Sequence, residues 1–82
     1  MHRHITMEIG IDEDDSTTLV HATLDLRGDH FHATGRARRN PDDPAVPLIG
    51  EELALARALS SLERQIVDRA YERIDTSYTA MI

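Results

Sequence analysis

The sequence predicts an α+β fold, in which a three-stranded antiparallel meander is covered on one face by one long C-terminal helix. Two observations predict it. Apolar and polar residues alternate through three segments before residue 40, which is the period of half-buried strands, and apolar residues recur at helical spacing after residue 50. The chain has 82 residues, which is enough for a single domain, residues 1–82, with a modest core.

Turn signals separate the three predicted strands. The first strand is expected over residues 3–12 and ends at an acidic cluster that favours a turn. The second and third strands are expected over residues 17–27 and 30–39, joined by a two-residue turn at Gly28-Asp29. The apolar positions of each strand share one face. These positions are Ile5, Met7, Ile9 and Ile11, then Val20, Ala22, Leu24 and Leu26, then Phe31, Ala33, Gly35 and Ala37.

A long helix is expected after a proline-rich loop. Three prolines and two aspartates in residues 40–47 argue against regular structure there, whereas residues 51–75 contain no proline or glycine. Helix formers dominate the second stretch. Glu51 and Glu52 are expected in the first turn, where the helix dipole favours negative charge. We therefore expect one helix over residues 50–75.

This helix is apolar over more of its circumference than one sheet needs. Its apolar residues form two adjacent stripes that span about half of the circumference, whereas a helix on a three-stranded sheet needs an arc of about 100°. The first stripe comprises Leu55, Leu59, Leu62, Ile66 and Ala70. The second stripe predicts a homodimer, and the alternative is a helix that lies deep in its own sheet. The predicted dimer interface comprises Leu53, Ala56, Ser60, Val67 and Tyr71.

Composition and charge argue against several classes of function. The net charge is −6, which opposes general attraction to phosphates or anionic lipid. Without cysteine the chain has no disulfide, no thiolate metal site and no cysteine nucleophile. No segment is long and apolar enough to span a membrane, so we expect a cytoplasmic protein. There is no phosphate-binding loop or nucleophile motif, and so small a fold should offer little concave volume, so we predict no enzymatic activity and no cofactor.

The polar face of the predicted sheet brings histidines close to carboxylates. The expected turns place the following residues in cross-strand rows: His4-Asp25-His32, Thr6-Thr23-Thr34 and Glu8-His21-Arg36. Such pairs stabilise a register by about 0.2–1 kcal/mol each, which is a sufficient explanation for the rows. The alternative is a metal site formed by His4, Asp25 and His32, because zinc uses imidazole and carboxylate ligands.

Nucleic-acid binding is an alternative function, because Arg36, Arg38 and Arg39 cluster at the end of the third strand. Glu51 and Glu52 argue against it, since carboxylates at the start of the predicted helix repel phosphate. The chain also offers no aromatic platform for single-stranded bases. Nucleic acid is therefore a disfavoured partner.

Two stretches have a distinctive order of residues. One is Gly35-Arg36-Ala37-Arg38, and the other is Ile49-Gly50-Glu51-Glu52-Leu53-Ala54-Leu55-Ala56-Arg57-Ala58-Leu59-Ser60-Ser61-Leu62, after the Asp/Pro-rich loop. In these stretches the chain resembles a small actinobacterial family of unknown function. The resemblance implies a β-β-β-α fold similar to the double-stranded-RNA-binding domain without that domain's N-terminal helix. It implies no catalytic residue and no ligand.

The residues and the resemblance together favour a small non-enzymatic interaction or regulatory module. We expect it to act as a homodimer, with the helix or the polar sheet face as its contact surface and a protein as a possible further partner. Nucleic-acid binding and metal binding are the two alternatives.

Overall fold

The computed structural model describes the backbone of residues 1–81 and the side chains of residues 1–78. Three strands precede one helix, in the order β1 (Met7–Glu13), β2 (Thr17–Leu26), β3 (Asp29–Arg38) and α1 (Pro47–Met81). The strands form one antiparallel sheet in the order β1-β2-β3. The predicted α+β meander with a long C-terminal helix is confirmed.

Strand β1 starts at Met7, four residues later than predicted. Met7 pairs with Leu24, and β2 ends two residues further on at Leu26. Residues 3 and 4 therefore have no part of β2 to pair with.

Helix α1 extends beyond the predicted bounds at both ends. It begins at Pro47, because proline is well suited to the first helical position, where its missing N–H has no intrahelical partner to lose. Glu51 and Glu52 consequently lie in the second turn, and the first turn holds no acidic residue. The helix continues to Met81, and Ile82 lies outside the described residues. Within the part of the chain that is described, no helix combines the length and the apolar character needed to cross a membrane.

The turn between β2 and β3 lies one residue earlier than predicted. Arg27 and Gly28 form it, with φ of 51° and 86°. Positive φ at both central positions suits a two-residue hairpin loop, because the loop then follows the twist of the strands. Asp29 is therefore the first residue of β3 and not part of the turn. Arg69 and Arg73 of α1 bind its carboxylate.

Asp14 organises the loop between β1 and β2. Its carboxylate accepts hydrogen bonds from the backbone N–H groups of Ser16 and Thr17, each at 2.8 Å. These two bonds hold the pKa of Asp14 below its usual value. Glu13 then pairs with Thr18, whereas the predicted register would have paired Asp12 with Thr17.

The core lies between α1 and the neighbouring strands β2 and β3. The apolar faces predicted for these two strands are confirmed. The core residues are Val20, Ala22, Leu24, Phe31, Ala33, Ala37, Ala54, Ala58 and Leu62.

Small residues form the closest contact between α1 and the sheet. A Cβ atom on Gly35 of β3 would collide with the backbone of α1 at Ala54 and Ala58. The helix row that faces the sheet is therefore Ala54, Ala58 and Leu62, each at most 2% exposed.

The predicted sheet-facing stripe of α1 is only partly correct. Leu62 is buried, and Leu55 and Ile66 are partly buried against the core. Leu59 and Ala70 are exposed. The buried row lies to one side of the predicted stripe, because a helix backbone this close to Gly35 leaves room only for alanine above it.

Candidate interaction surfaces

The outer stripe of α1, the face that points away from the sheet, carries the predicted dimer residues. Leu53, Val67 and Tyr71 are 46%, 43% and 63% exposed, and Ala56 and Ser60 between them are exposed as well. At about 100° per residue, all five lie within about 40° of the direction opposite Ala58. The stripe is thus free for contact with another molecule, and the homodimer itself stays a prediction.

The apolar face of β1 is a second uncovered surface. Met7, Ile9 and Ile11 lie on the same side of the sheet as the core, yet they are 36%, 45% and 47% exposed. The expectation that this face is buried like those of β2 and β3 is wrong, because α1 packs on β2 and β3 and leaves β1 largely uncovered.

An open groove of about 690 Å³ lies between the β1–β2 loop, the segment before α1 and the first turns of α1. The expectation of little concave volume is therefore wrong. Val46, Ile49 and Leu53 line the groove together with charged residues of both signs. Leu53 belongs both to this groove and to the outer stripe of α1.

The polar face of the sheet has a register two positions from the predicted one. The observed cross-strand rows are Glu8-Thr23-His32, Gly10-His21-Thr34 and Asp12-Leu19-Arg36. None of the three predicted rows forms. The residues predicted for the polar face of β2 and β3 still share that face, because a shift of two keeps every side chain on its own side.

The observed register does not bring the predicted metal ligands together. Asp25 pairs with His30, whose Nδ1 atom lies 2.5 Å from Asp25 Oδ1. His32 instead stacks on His21, with 6.0 Å between the ring centroids, and His4 precedes β1. Among the described residues, no group of three histidine or carboxylate side chains is placed to hold a metal ion.

The three arginines predicted for nucleic-acid binding do not form one exposed cluster of side chains. Arg36 and Arg38 are exposed on the polar face of β3. Arg39 donates hydrogen bonds to the backbone carbonyls of Asp15 at 3.2 Å and Asp43 at 2.9 Å. It therefore holds two loops together.

Comparison with known proteins finds similar chains in mycobacteria. The uncharacterised protein Mb1767 of Mycobacterium bovis is 43% identical over 65 residues, which cover 79% of this chain and 69% of that one. The uncharacterised protein Rv2632c of Mycobacterium tuberculosis is 38% identical over 71 residues, covering 87% of this chain and 76% of that one. These names assign no activity.

The fold and the family model agree with this relationship. The crystal structure of Rv2632c matches with a TM-score of 0.87 and 35% identity, covering 94% of this chain and 92% of that one. The family model described as Rv2632c-like matches residues 3–81. The predicted resemblance to a small actinobacterial family is thus confirmed, and the chain belongs to the Rv2632c-like family.

Proposed function

We propose that this protein is a small non-enzymatic interaction module of the cytoplasm that acts as a homodimer through the outer stripe of α1. The observation that carries the proposal is the exposure of that stripe. Contiguous exposed apolar side chains on a small protein mark a contact surface. Because the stripe points away from the sheet, sliding α1 across its own sheet would not bury it.

The shape of the protomer supports a permanent partner. Its radius of gyration is 17.0 Å and its extents are 60 × 26 × 16 Å. A compact chain of this length would have a radius of gyration of about 12 Å. An elongated protomer exposes more apolar surface than a compact one, so association stabilises it more.

The length of α1 explains this shape. Its 35 residues span about 52 Å, whereas the ten residues of β3 span about 33 Å. Arg69 and Arg73 bind Asp29, which is the first residue of β3. The helix from Ile74 onward therefore extends beyond the sheet, where Ile74 and Tyr78 are exposed.

A second copy of the chain is the partner that best fits such a surface. The apolar side chains of the stripe are exposed to water whenever a single chain is folded. Other copies of the same chain are present wherever the protein is made. Most soluble oligomers are homo-oligomers, and two-fold dimers are the commonest kind.

Aspartate substitutions in the stripe test the proposal. Burial of a valine or leucine side chain contributes about 1.5–3 kcal/mol, and a two-fold dimer buries each position twice. The Leu53→Asp or Val67→Asp variant should therefore raise the dimer dissociation constant about 100-fold or more. Native mass spectrometry and light scattering on untagged protein would measure the subunit count.

Ser61→Asp is the matched control, because it adds the same charge to an exposed position of α1 that lies outside the stripe. It should leave the dimer intact. A wild-type protein that is monomeric at every concentration, or folded Leu53→Asp and Val67→Asp variants that dimerise like the wild type, would contradict the proposal.

A further inference from the structure

The apolar face of β1 is exposed, and the proposed contact through the outer stripe of α1 does not by itself explain this exposure. Met7, Ile9 and Ile11 pair with core residues of β2 and point to the same side of the sheet. An aliphatic row at this position normally lies beneath a helix, because one face of an antiparallel sheet packs on the core. Among the described residues of the single chain, nothing comparable covers it.

The protomer's own helix is held away from β1. Arg57 and Gln65 of α1 donate hydrogen bonds to backbone carbonyls of β3, at 2.6 and 2.8 Å, and Arg69 binds the carboxylate of Asp29 at 3.1 Å. These contacts are spaced along β3, the edge strand opposite β1. Moving α1 over β1 would break all three and would also lose its close contact at Gly35.

We infer that the apolar face of β1 is covered by the outer stripe of α1 from a second copy, and that the same contact is made reciprocally. This inference rests on the proposed homodimer and names the surface that receives the helix. Each copy has one sheet face that lacks a helix and one helix face that lacks a sheet. A two-fold contact brings each face onto its complement in the partner, as an isologous interface requires.

The required size of an interface favours this arrangement over contact between helices alone. A stable dimer uses about 20–30 residues and about 800 Å² on each side. The five residues of the outer stripe are fewer than this, and contact through them alone leaves β1 exposed. Stripe and β1 face together form a larger contact, with the two helices sandwiched between two sheets.

Aspartate substitution in β1 separates this inference from the proposed dimer itself. Ile9→Asp should raise the dimer dissociation constant at least tenfold without loss of the far-ultraviolet circular dichroism of the fold. The matched control is Gly10→Asp, since the neighbouring residue lies on the polar face with open space around it. That variant should dimerise like the wild type.

Thiol cross-linking tests the contact directly, because the chain contains no cysteine. Protein with Ile9→Cys is mixed with protein carrying Ser60→Cys, an exposed position of the outer stripe, and treated with a short bifunctional thiol reagent. We expect a cross-linked pair containing one copy of each variant. Protein with Gly10→Cys should give no such pair.

The outcomes are distinct. A wild-type dimer that persists in Ile9→Asp, with no Ile9→Cys to Ser60→Cys cross-link, overturns this inference and leaves the proposed dimer standing. Cross-links only between two copies of Ile9→Cys indicate edge-to-edge pairing of β1 and also overturn it. A wild-type protein that is monomeric would contradict both the proposed homodimer and this inference. If the Ile9→Asp variant does not fold, the cross-linking experiment still tests whether the outer stripe of α1 contacts β1 of the partner.

Discussion

Gly35 is the residue that determines how closely α1 approaches the sheet. It lies in β3 beneath the backbone of Ala54 and Ala58, so that any side chain there meets main-chain atoms that cannot rotate away. The buried face of the helix is rich in alanine for the same reason.

Gly35→Ala should therefore destabilise the protein. The helix must move away from the sheet to admit one methyl group, and overpacking of this kind costs about 1–3 kcal/mol. Gly10→Ala is the matched control, because a Cβ atom there has nothing within 4 Å, and its effect should stay within about 0.5 kcal/mol. Urea denaturation of both variants measures the difference, and equal free energies of unfolding would contradict the prediction.

Asp29 connects the start of β3 to α1. Its side chain is 12% exposed and binds both Arg73 and Arg69. Hydrogen bonds from Arg73 and then Arg69 hold the pKa of Asp29 below its ordinary value of 3.8. A carboxylate with a lowered folded-state pKa stabilises the fold fully above the unfolded-state value. That stabilisation is lost as the pH falls through the lower, folded-state pKa.

The melting temperature of the wild type should consequently fall more steeply below pH 3.8 than that of Asp29→Asn. Near neutral pH the wild type should be the more stable of the two. Asp42→Asn, in the exposed loop before α1, removes the same charge and should follow the wild-type profile. Parallel melting curves for wild type and Asp29→Asn across this range would show that the two arginine contacts do not stabilise the fold.

At the scale of the elements, α1 has two parts with different support. From Ala54 to Ile66 it lies on the core, whereas its apolar side chains from Val67 to Ile74 are exposed. A helix without tertiary contacts is only marginally stable in water. The second part is joined to the sheet through Arg69 and Arg73 at Asp29 but has no buried apolar side chain among its described residues, so it should depend on the proposed partner more than the first.

Amide hydrogen exchange should show this difference along α1. In the monomeric variant Val67→Asp, peptides from 54–66 should exchange slowly and peptides from 67–78 quickly, because local unfolding starts where packing is weakest. In the wild-type dimer the second group should become protected. Exchange measured by mass spectrometry tests this, and equal protection of both groups in the monomeric variant would refute it.

At the scale of the whole molecule, two copies with a net charge of −6 repel each other. An apolar interface must overcome this repulsion, and salt screens it over a distance of about 10 Å at 0.1 M. Sedimentation velocity should therefore show a tighter dimer as sodium chloride is raised. Weaker association at high salt would indicate that ion pairs, rather than the apolar faces, hold the copies together.

Local patterns in the sequence were sufficient to predict the elements and their faces. Alternation assigned Val20, Ala22 and Leu24 to the core side of β2, and the helical period located α1 and its surplus apolar stripe. The start of the helix was predicted less accurately, because a proline such as Pro47 can either end a loop or begin a helix. The predicted dimer residues are exposed in the protomer, and the homodimer stays a prediction.

The strand register and the position of α1 on the sheet could be established only from the three-dimensional structure. A shift of two residues keeps every side chain on its own face, so alternation cannot distinguish the predicted rows from the observed ones. That choice depended on Asp14 in one loop and on Arg27-Gly28 in the other. The same limit explains why the proposed metal ligands were not brought together.

The pattern of residues was enough to locate three strands and one helix and to identify the apolar side of each, because these follow from periods of two and 3.6 along the chain. The structure decided that α1 lies over β2 and β3 and leaves β1 uncovered. That position depends on contacts between distant residues, with Gly35 setting the approach and Arg57 and Asp29 holding the helix on the β3 side. The alternation or periodicity of residues within one segment does not predict contacts between distant segments.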